Sequence, residues 1–329
     1  MTRSLSLLSS ILRTAVFACA MGTGLAASAQ TWPSRPVHVV VPAPAGSSLD
    51  IVVRTLGDKL KDRWQQPVLV DNKPGAGGML GMDVVAKAAP DGYTLGIGFN
   101  GPIAFGPHMY KKMPYAPARD LLPVVLTTSQ PNVLAISFSN SANTLPEFIT
   151  WAKQQGNKLS YASVGNGSSS HLSMELWLRE AGLDAVHVPY NGSPPAASSV
   201  AAGETQMLLS TLPALLPLVQ AGKLKLLAVT SLQRIDGMKQ LPTVAEAGFA
   251  GFEALAWNGL FAPAGTPADV VQRINADVNA LLKDPSVREL FARQGLIPGG
   301  GSAQEFKTYI DAESRKWGAI IQRAHLTID

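Results

Sequence analysis

Strand, glycine-serine loop and helix follow one another twice in this chain. In the clearer copy, apolar residues 159–162 precede Gly165, Gly167 and a run of serines, and a helical pattern follows at 172–181. In the other copy, the apolar run 37–41 leads through one glycine and two serines into a helix. Strands that alternate with helices at this spacing predict an α/β protein with right-handed crossovers between parallel strands.

Each loop would bring free backbone N–H groups to the positive end of a helix dipole, and such a site binds an anion without Lys or Arg. Gly165 and Gly167 permit left-handed backbone or a close approach to a ligand, and the serines can cap the helix or donate to a ligand oxygen. An ordinary serine-capped helix is the alternative for either loop taken alone. Because the arrangement of strand, glycine-serine loop and helix occurs twice, we favour an anion site.

Two further strands are predicted at 68–70 and 93–99, with a helix between them. Ligands of open α/β sheets bind beyond the carboxyl ends of the strands, at a switch in strand order. Gly46 and Ser47, Asn100, and the loop that starts at Ser163 all lie at such ends. We therefore expect these three places to face one site.

The length of the chain favours two lobes rather than one core. We predict strands at 124–127 and 133–138 that lead into the second lobe, and a strand at 224–229 that returns from it. The predicted boundaries are a signal peptide at 1–29, a first lobe from 30–126 plus 229–329, and a second lobe at 127–228. Amphipathic helices at 267–283, 284–295 and 303–324 end the chain, and the last is expected to pack on the first lobe.

The first 29 residues have the pattern of a secretory signal peptide. Arg3 and Arg13 precede a run of apolar and small residues, and Ala27-Ser28-Ala29 is an A-x-A cleavage site. Cys19, the single cysteine, lies within this segment, and the bulky residue two positions before it argues against lipidation. We predict cleavage after Ala29 and a periplasmic location.

The mature chain is close to neutral. Removal of Arg3 and Arg13 from the 27 basic residues leaves 25 against 23 acidic residues, a net charge of +2. That balance gives no basic surface for nucleic acid or for a membrane. No later stretch approaches the roughly 18 apolar residues of a spanning helix.

Patterns of catalytic and cofactor sites are missing from the sequence. The glycines at Gly75, Gly77 and Gly81 have the wrong spacing for a dinucleotide loop. There is no G-x-S-x-G pentapeptide, no H-E-x-x-H, and no cluster of the five histidines with acids. We expect no enzyme activity, no cofactor and no metal, and a hydrolase is only a remote alternative.

The residues that carry a family resemblance form blocks along the whole mature chain: 40–54, 71–78 (Asp-Asn-Lys-Pro-Gly-Ala-Gly-Gly), 89–95, 161–172, 187–193, 222–224, 228–231, 241–248 and 261–267. In this order they resemble the Bug-type solute-binding proteins of tripartite tricarboxylate transporters. The resemblance implies a two-lobed Venus-flytrap fold of the periplasmic binding proteins, each lobe a mostly parallel sheet flanked by helices. It also implies that loops 42–50 and 163–171 face each other and hold a carboxylate through backbone N–H groups and ordered water.

The predicted ligand-binding residues lie on these loops and at strand ends: Ala43, Ala45, Gly46, Ser47, Ser48, Asp50, Asn100, Ser163, Gly165, Asn166, Gly167, Ser168, Ser169, Ser170, His171, Tyr190, Ser210 and Trp257. Many relatives have an aromatic residue at Ala43, a glycine at Ser47, an acid at Ser210 and an aromatic residue at Asn258. The neutral hydroxyl of Ser210, and the room beside Ala43 and Asn258, predict an amine-free organic acid bulkier than aspartate. Asp50 is open to two interpretations, since it could serve its own helix or pair with a ligand ammonium.

The implied partners are a small di-, tri- or aromatic carboxylate and the membrane permease subunits of such a transporter, with the receptor as a monomer. A ligand-sensing role beside a membrane sensor kinase fits the same residues, and sequence does not separate the two.

Overall fold

The computed structural model describes residues 32–235, 238–324 and 326, and contacts divide the chain into two units, residues 1–34 and 35–329. The predicted signal peptide and its cleavage site lie outside the described residues. The second unit contains all the strands and helices that follow.

The strands are β1 (Val37–Val41), β2 (Val68–Asn72), β3 (Thr94–Phe99), β4 (Leu121–Ser137), β5 (Ser160–Ser163), β6 (Val186–Pro189), β7 (Met207–Thr211), β8 (Leu224–Val229), β9 (Leu255–Pro263) and β10 (Ile297–Gly300). The helices are α1 (Ser48–Trp64), α2 (Met79–Ala86), α3 (Gly106–Met109), α4 (Pro117–Asp120), α5 (Leu145–Gln155), α6 (Ser169–Ala181), α7 (Ser193–Ala202), α8 (Leu212–Gln220), α9 (Ala268–Leu282), α10 (Pro285–Arg293) and α11 (Ala303–Ala324). Short helical turns lie at Ala76–Gly78, Gly101–Phe105 and Gly156–Lys158.

Strand β4 connects two halves of the sheet. Its first part, up to Pro131, pairs with β9 on one side and β10 on the other, and β9 continues to β3, β1 and β2. Its last part, from Asn132, pairs with β7 and β8, and β7 continues to β5 and β6. We call these the first and second sheet halves. Within them β2-β1-β3 and β6-β5-β7 are parallel, whereas the pairs made by β4 and β9 are antiparallel.

Two strand predictions require correction. The separate strands predicted at 124–127 and 133–138 are one 17-residue strand, because Pro131 lies where β4 changes neighbours and does not end it. The strand at 224–229 exists but pairs with β4 in the second half, so it does not return to the first. Strand β9 brings the chain back to the first sheet half, where it pairs with β3, and this strand was not predicted from the sequence.

The predicted helices bury the faces that their periodicity indicates. In α1, Val52, Leu56 and Leu60 are buried, in line with their spacing of four residues. In α11, Trp317 packs on Phe105 with ring centroids 5.0 Å apart. The last helix therefore covers the first sheet half, as expected. The predicted α/β fold class is confirmed.

None of the helices in the described part of the chain is both long enough and apolar enough to span a membrane.

Candidate functional site

Both glycine-serine loops end in a buried serine that caps the following helix. The Ser47 Oγ accepts from the backbone N–H of Asp50 at 3.3 Å, three residues into α1. The Ser168 Oγ accepts from the N–H of His171 at 3.2 Å in the same way at the start of α6. Both caps are at most 1% exposed. The two helix starts predicted from sequence therefore have the same local structure.

Each cap leaves two amides at its helix start without a partner inside the helix. In α1 these are the N–H groups of Ser48 and Leu49, and in α6 they are those of Ser169 and Ser170, because no helical carbonyl lies four residues before them. All four residues line one cavity. The cavity thus receives the positive ends of two helix dipoles, one from each sheet half.

The cavity lies between the two sheet halves and has a volume of about 50 Å³, measured over the centres of water-sized spheres. Its lining is Pro42, Ala43, Ser47, Ser48, Leu49, Gly75, Gly77, Gly78, Phe99, Asn100, Gln130, Asn132, Val164, Ser169, Ser170, Asn191, Gly192, Ser193, Ser210, Thr211, Ala256 and Asn258. Among the described residues, this lining includes no Asp, Glu, Lys, Arg or His. An anion would be held by dipoles alone.

Asp50 lies outside the cavity lining and holds the first loop, residues 42–50, in place through hydrogen bonds. Its carboxylate accepts from the Gly46 N–H at 3.0 Å, from Asn72 Nδ2 at 3.0 Å and from Arg54 Nε at 3.0 Å. The Asn72 amide also donates to the Ala43 carbonyl. Burial by itself raises the pKa of Asp50, but the hydrogen bonds from Arg54, Gly46 and Asn72 outweigh it and hold the pKa below its ordinary value. The structure therefore shows Asp50 serving its own helix start and loop.

Two stacked histidines support the second loop. The rings of His171 and His187 are parallel, with centroids 4.0 Å apart. His171 Nδ1 accepts from the Gly167 N–H at 3.2 Å, and His187 Nε2 lies 2.6 Å from the Ser163 Oγ. Burial, and then the neighbouring imidazole, lowers the pKa of His171 to about 3, and burial lowers the pKa of His187 to about 4. Both rings are neutral at pH 7 and act as hydrogen-bonding supports for the loop.

The loops of the two sheet halves touch around the cavity. The Tyr110 hydroxyl donates to the Asn166 carbonyl at 3.3 Å. A Cβ built on Gly77 would overlap that same carbonyl oxygen, and one built on Gly192 would overlap the Pro44 ring. Glycine at these positions therefore permits backbone to approach backbone across the cavity.

Four buried polar atoms at the cavity have no protein partner among the described residues. They are Asn100 Oδ1, Gln130 Oε1, Ser170 Oγ and Ser210 Oγ. Each of these side chains is at most 1% exposed, and all four residues line the cavity. Buried polar atoms are otherwise nearly always paired, so this cluster indicates where a ligand or water binds.

The structure brings seven predicted site residues into the cavity lining: Ala43, Ser47, Ser48, Asn100, Ser169, Ser170 and Ser210. Other predicted residues lie on the two loops or helix starts but outside the lining: Ala45, Gly46, Asp50, Ser163, Gly165, Asn166, Gly167, Ser168 and His171. Tyr190, which follows β6, is outside the lining, and so is Trp257, which packs against Phe306 and Tyr309 of α11. Gln130 and Asn132 of β4 line the cavity but were not predicted from the sequence.

We expect Ser168→Ala to lower the free energy of unfolding by about 1–2 kcal/mol, because Ser168 both caps α6 and donates to the Gly165 carbonyl at 2.7 Å. Urea unfolding followed by circular dichroism measures the change. Thr144→Ala, which removes the exposed cap of α5, is the matched control and should cost less. An unchanged unfolding midpoint for Ser168→Ala would contradict the role of this serine as a cap.

Among the described residues, no group of three or more His, Cys, Asp or Glu side chains is placed to hold a metal ion.

Comparisons with known proteins identify the family of this chain. Residues 52–326 match the model of the tripartite tricarboxylate transporter family receptor. The chain is 33% identical to the protein BugT of Bordetella pertussis over 308 residues, which cover 93% of this chain and 94% of BugT. It is similar to Rpa4515 of R. palustris solved with adipate, with a TM-score of 0.87 and 35% identity over 89% of this chain and 98% of that one.

A second structure, MatC of Rhodopseudomonas palustris with bound malate, has a TM-score of 0.83 and 31% identity, and the match covers 88% of this chain and all of MatC. The family model spans most of the chain, and the relatives are covered almost completely. The chain therefore belongs to the tripartite tricarboxylate transporter receptor family, the Bug-type solute-binding proteins that its sequence blocks resemble.

Proposed function

We propose that this protein binds a small organic carboxylate in the periplasm and presents it to the permease of a tripartite tricarboxylate-type transporter. One observation carries the proposal: two helix N-termini, whose first two amides have no partner inside the helix, line one small cavity with no charged residue in its described lining. The adipate and malate of two solved relatives are carboxylates. Export through cleavage after Ala29, and the division into lobes at residues 127 and 228, belong to the same proposal.

Helix dipoles and charge-assisted hydrogen bonds together supply enough free energy for micromolar binding of a carboxylate. Each helix N-terminus contributes about 0.3–1 kcal/mol, and each charge-assisted hydrogen bond about 1.5–3 kcal/mol. Several such bonds, less the cost of ordering the ligand and closing the loops, supply the roughly −8 kcal/mol of a micromolar complex.

The absence of acids from the described lining favours an amine-free ligand. A buried ammonium needs an anionic partner, because an unpaired charge is very costly to bury. Asp50 directly follows the lining residues Ser48 and Leu49, but its oxygens already accept hydrogen bonds from Gly46, Asn72 and Arg54. We therefore propose a deaminated acid in preference to an amino acid.

A hydrolytic function finds no support in the one serine-histidine pair near the loops. Ser163 Oγ lies 2.6 Å from His187 Nε2, but Ser163 is fully buried and outside the cavity lining. Its hydroxyl also accepts the Gly165 N–H at 3.2 Å, which is a loop contact. We propose that this pair supports the loop and that the protein is not an enzyme.

A thermal-shift panel tests the proposal. We expect succinate, malate or adipate to raise the melting temperature in a concentration-dependent way, whereas aspartate and glutamate give no comparable shift. The physical reason is linkage: a ligand at 100 times its Kd stabilises the native state by about 2.7 kcal/mol.

Tight stabilisation by aspartate or glutamate, with none by the matching deaminated acids, would contradict the proposed ligand class. No shift with any carboxylate would contradict the function itself. Native mass spectrometry of the freshly purified protein provides an independent check, because a closed cavity retains its ligand.

A further inference from the structure

Asn100 presents a hydrogen-bond acceptor, and not a donor, to the cavity. It follows β3 and is completely buried. Its Nδ2 donates to the Leu255 carbonyl at 3.1 Å, and a carbonyl can only accept, so this contact fixes which end of the amide is nitrogen. The Oδ1 is the atom left without a partner.

Gln130 of β4 brings a second buried amide to the same cavity. One end of this amide contacts the Ser48 Oγ at 3.4 Å, and the other end has no partner among the described residues. Because a hydroxyl can donate or accept, this contact does not fix which end is oxygen, and Gln130 can offer either end to a ligand. Gln130 is 1% exposed and lines the same cavity. Asn100 Oδ1 is therefore the acceptor whose identity the contacts fix.

A simple dicarboxylate cannot satisfy Asn100 Oδ1 directly. Its carboxylate groups are acceptors when ionised, so they match the amides at the helix starts and the hydroxyls of Ser170 and Ser210, but they repel an amide oxygen. Leaving a buried acceptor unsatisfied costs about 1–3 kcal/mol, and a bridging water that satisfies it must itself be ordered. A ligand that brings its own donor avoids both costs.

A hydroxyl group meets this need better than an ammonium. Both donate, but a hydroxyl is neutral and the described lining holds no acid to pair with a cation. The small volume of the cavity, about 50 Å³, also favours a short acid over a long or branched one.

Resting on the proposed carboxylate-binding function, we propose that the preferred ligand is a short hydroxycarboxylate whose hydroxyl donates to Asn100 Oδ1. Asn100 is then the residue that determines specificity between hydroxylated acids and their deoxy analogues. The helix starts and serine hydroxyls hold the carboxylates.

Isothermal titration calorimetry with three ligands of nearly equal size tests this proposal: malate, succinate and 2-fluorosuccinate. Fluorine replaces the hydroxyl without being able to donate. We expect the wild-type protein to bind malate at least tenfold more tightly than either of the other two acids. This comparison changes only the ligand, so it does not depend on whether any variant folds.

In Asn100→Ala we expect the malate-to-succinate preference to fall below about threefold, whatever the absolute affinities. Asn143→Ala, at an exposed asparagine remote from the cavity lining, is the matched control and should keep the full preference. Equal binding of malate and succinate by wild type, or an unchanged preference in Asn100→Ala, would overturn this inference alone. Failure of all three acids to bind would overturn this inference, and the proposed carboxylate-binding function would fall with it only if adipate and the other carboxylates of the thermal-shift panel also failed to bind.

Discussion

Replacing Gly77 with alanine should weaken ligand binding by between tenfold and a hundredfold. A Cβ at this position would overlap the carbonyl oxygen of Asn166, which is backbone of the opposite loop and cannot rotate away as a side chain would. To relieve that overlap the two loops must separate, and the four amides at the helix starts then no longer converge on one ligand. Overpacking of this kind costs about 1–3 kcal/mol, which corresponds to the stated loss of affinity. Calorimetric titration with malate measures it.

The matched control for this variant is Gly222→Ala. Gly77 has φ +62° and Gly222 has φ +64°, so alanine suffers the same left-handed strain at both positions. A Cβ on Gly222 would meet nothing within 4 Å. Both variants therefore carry the same backbone strain, while only Gly77→Ala should lose affinity. If the two variants bind malate equally well, the contact between the loops does not contribute to binding.

Local sequence determines the helix starts of this site, and for that reason they could be predicted. A capping serine, the free amides after it and the glycine before it act over four or five residues. Ser47 and Ser168 were therefore identified without knowledge of the sheet. The parallel strands before each loop could also be predicted, because β1 is a nearly continuous apolar run and β5 is a short stretch that leads directly into the glycine-serine loop.

The cavity wall between the helix starts depends on strand pairing and could not be predicted in the same way. Gln130 and Asn132 of β4, and Ala256 and Asn258 of β9, line the cavity from alternate positions. Trp257 lies between the last two and faces α11, because neighbouring residues of a strand point to opposite faces. Trp257, predicted from the sequence as a ligand contact, is therefore one position away from the residues of β9 that line the cavity. The prediction requires knowing that β9 exists and which of its faces is covered.

The room expected beside Ala43 and Asn258 depends on tertiary packing as well. Both residues line the cavity, yet its volume is only about 50 Å³, since Phe99 and Leu49 line it too. A small side chain enlarges a cavity only where no neighbouring side chain fills the volume that it leaves free. We therefore favour short acids over the aromatic carboxylates that the sequence also admitted.

Replacing Asp50 with asparagine should lower the free energy of unfolding at pH 6 by about 3 kcal/mol and weaken ligand binding as well. The Asp50 side chain is 5% exposed, and its two oxygens accept hydrogen bonds from Gly46, Asn72 and Arg54. An asparagine turns one acceptor into a donor that faces these donors. Breaking a buried pair costs about 3–5 kcal/mol, and the half-exposed Arg54 can be hydrated, which places the effect at the lower end.

The pH dependence of this variant distinguishes a lost charge from a general packing defect. Because the pKa of Asp50 is lower in the folded protein than in the unfolded chain, its contribution is complete above about pH 4 and decreases as the pH falls through the lowered folded pKa. The gap in unfolding free energy between wild type and Asp50→Asn should therefore narrow from pH 6 to pH 3 in urea titrations. Asp62→Asn, at an exposed aspartate of the same helix, should show almost no gap at either pH. A gap for Asp50→Asn that stays constant over this range would mean that the carboxylate charge does not fasten the first loop.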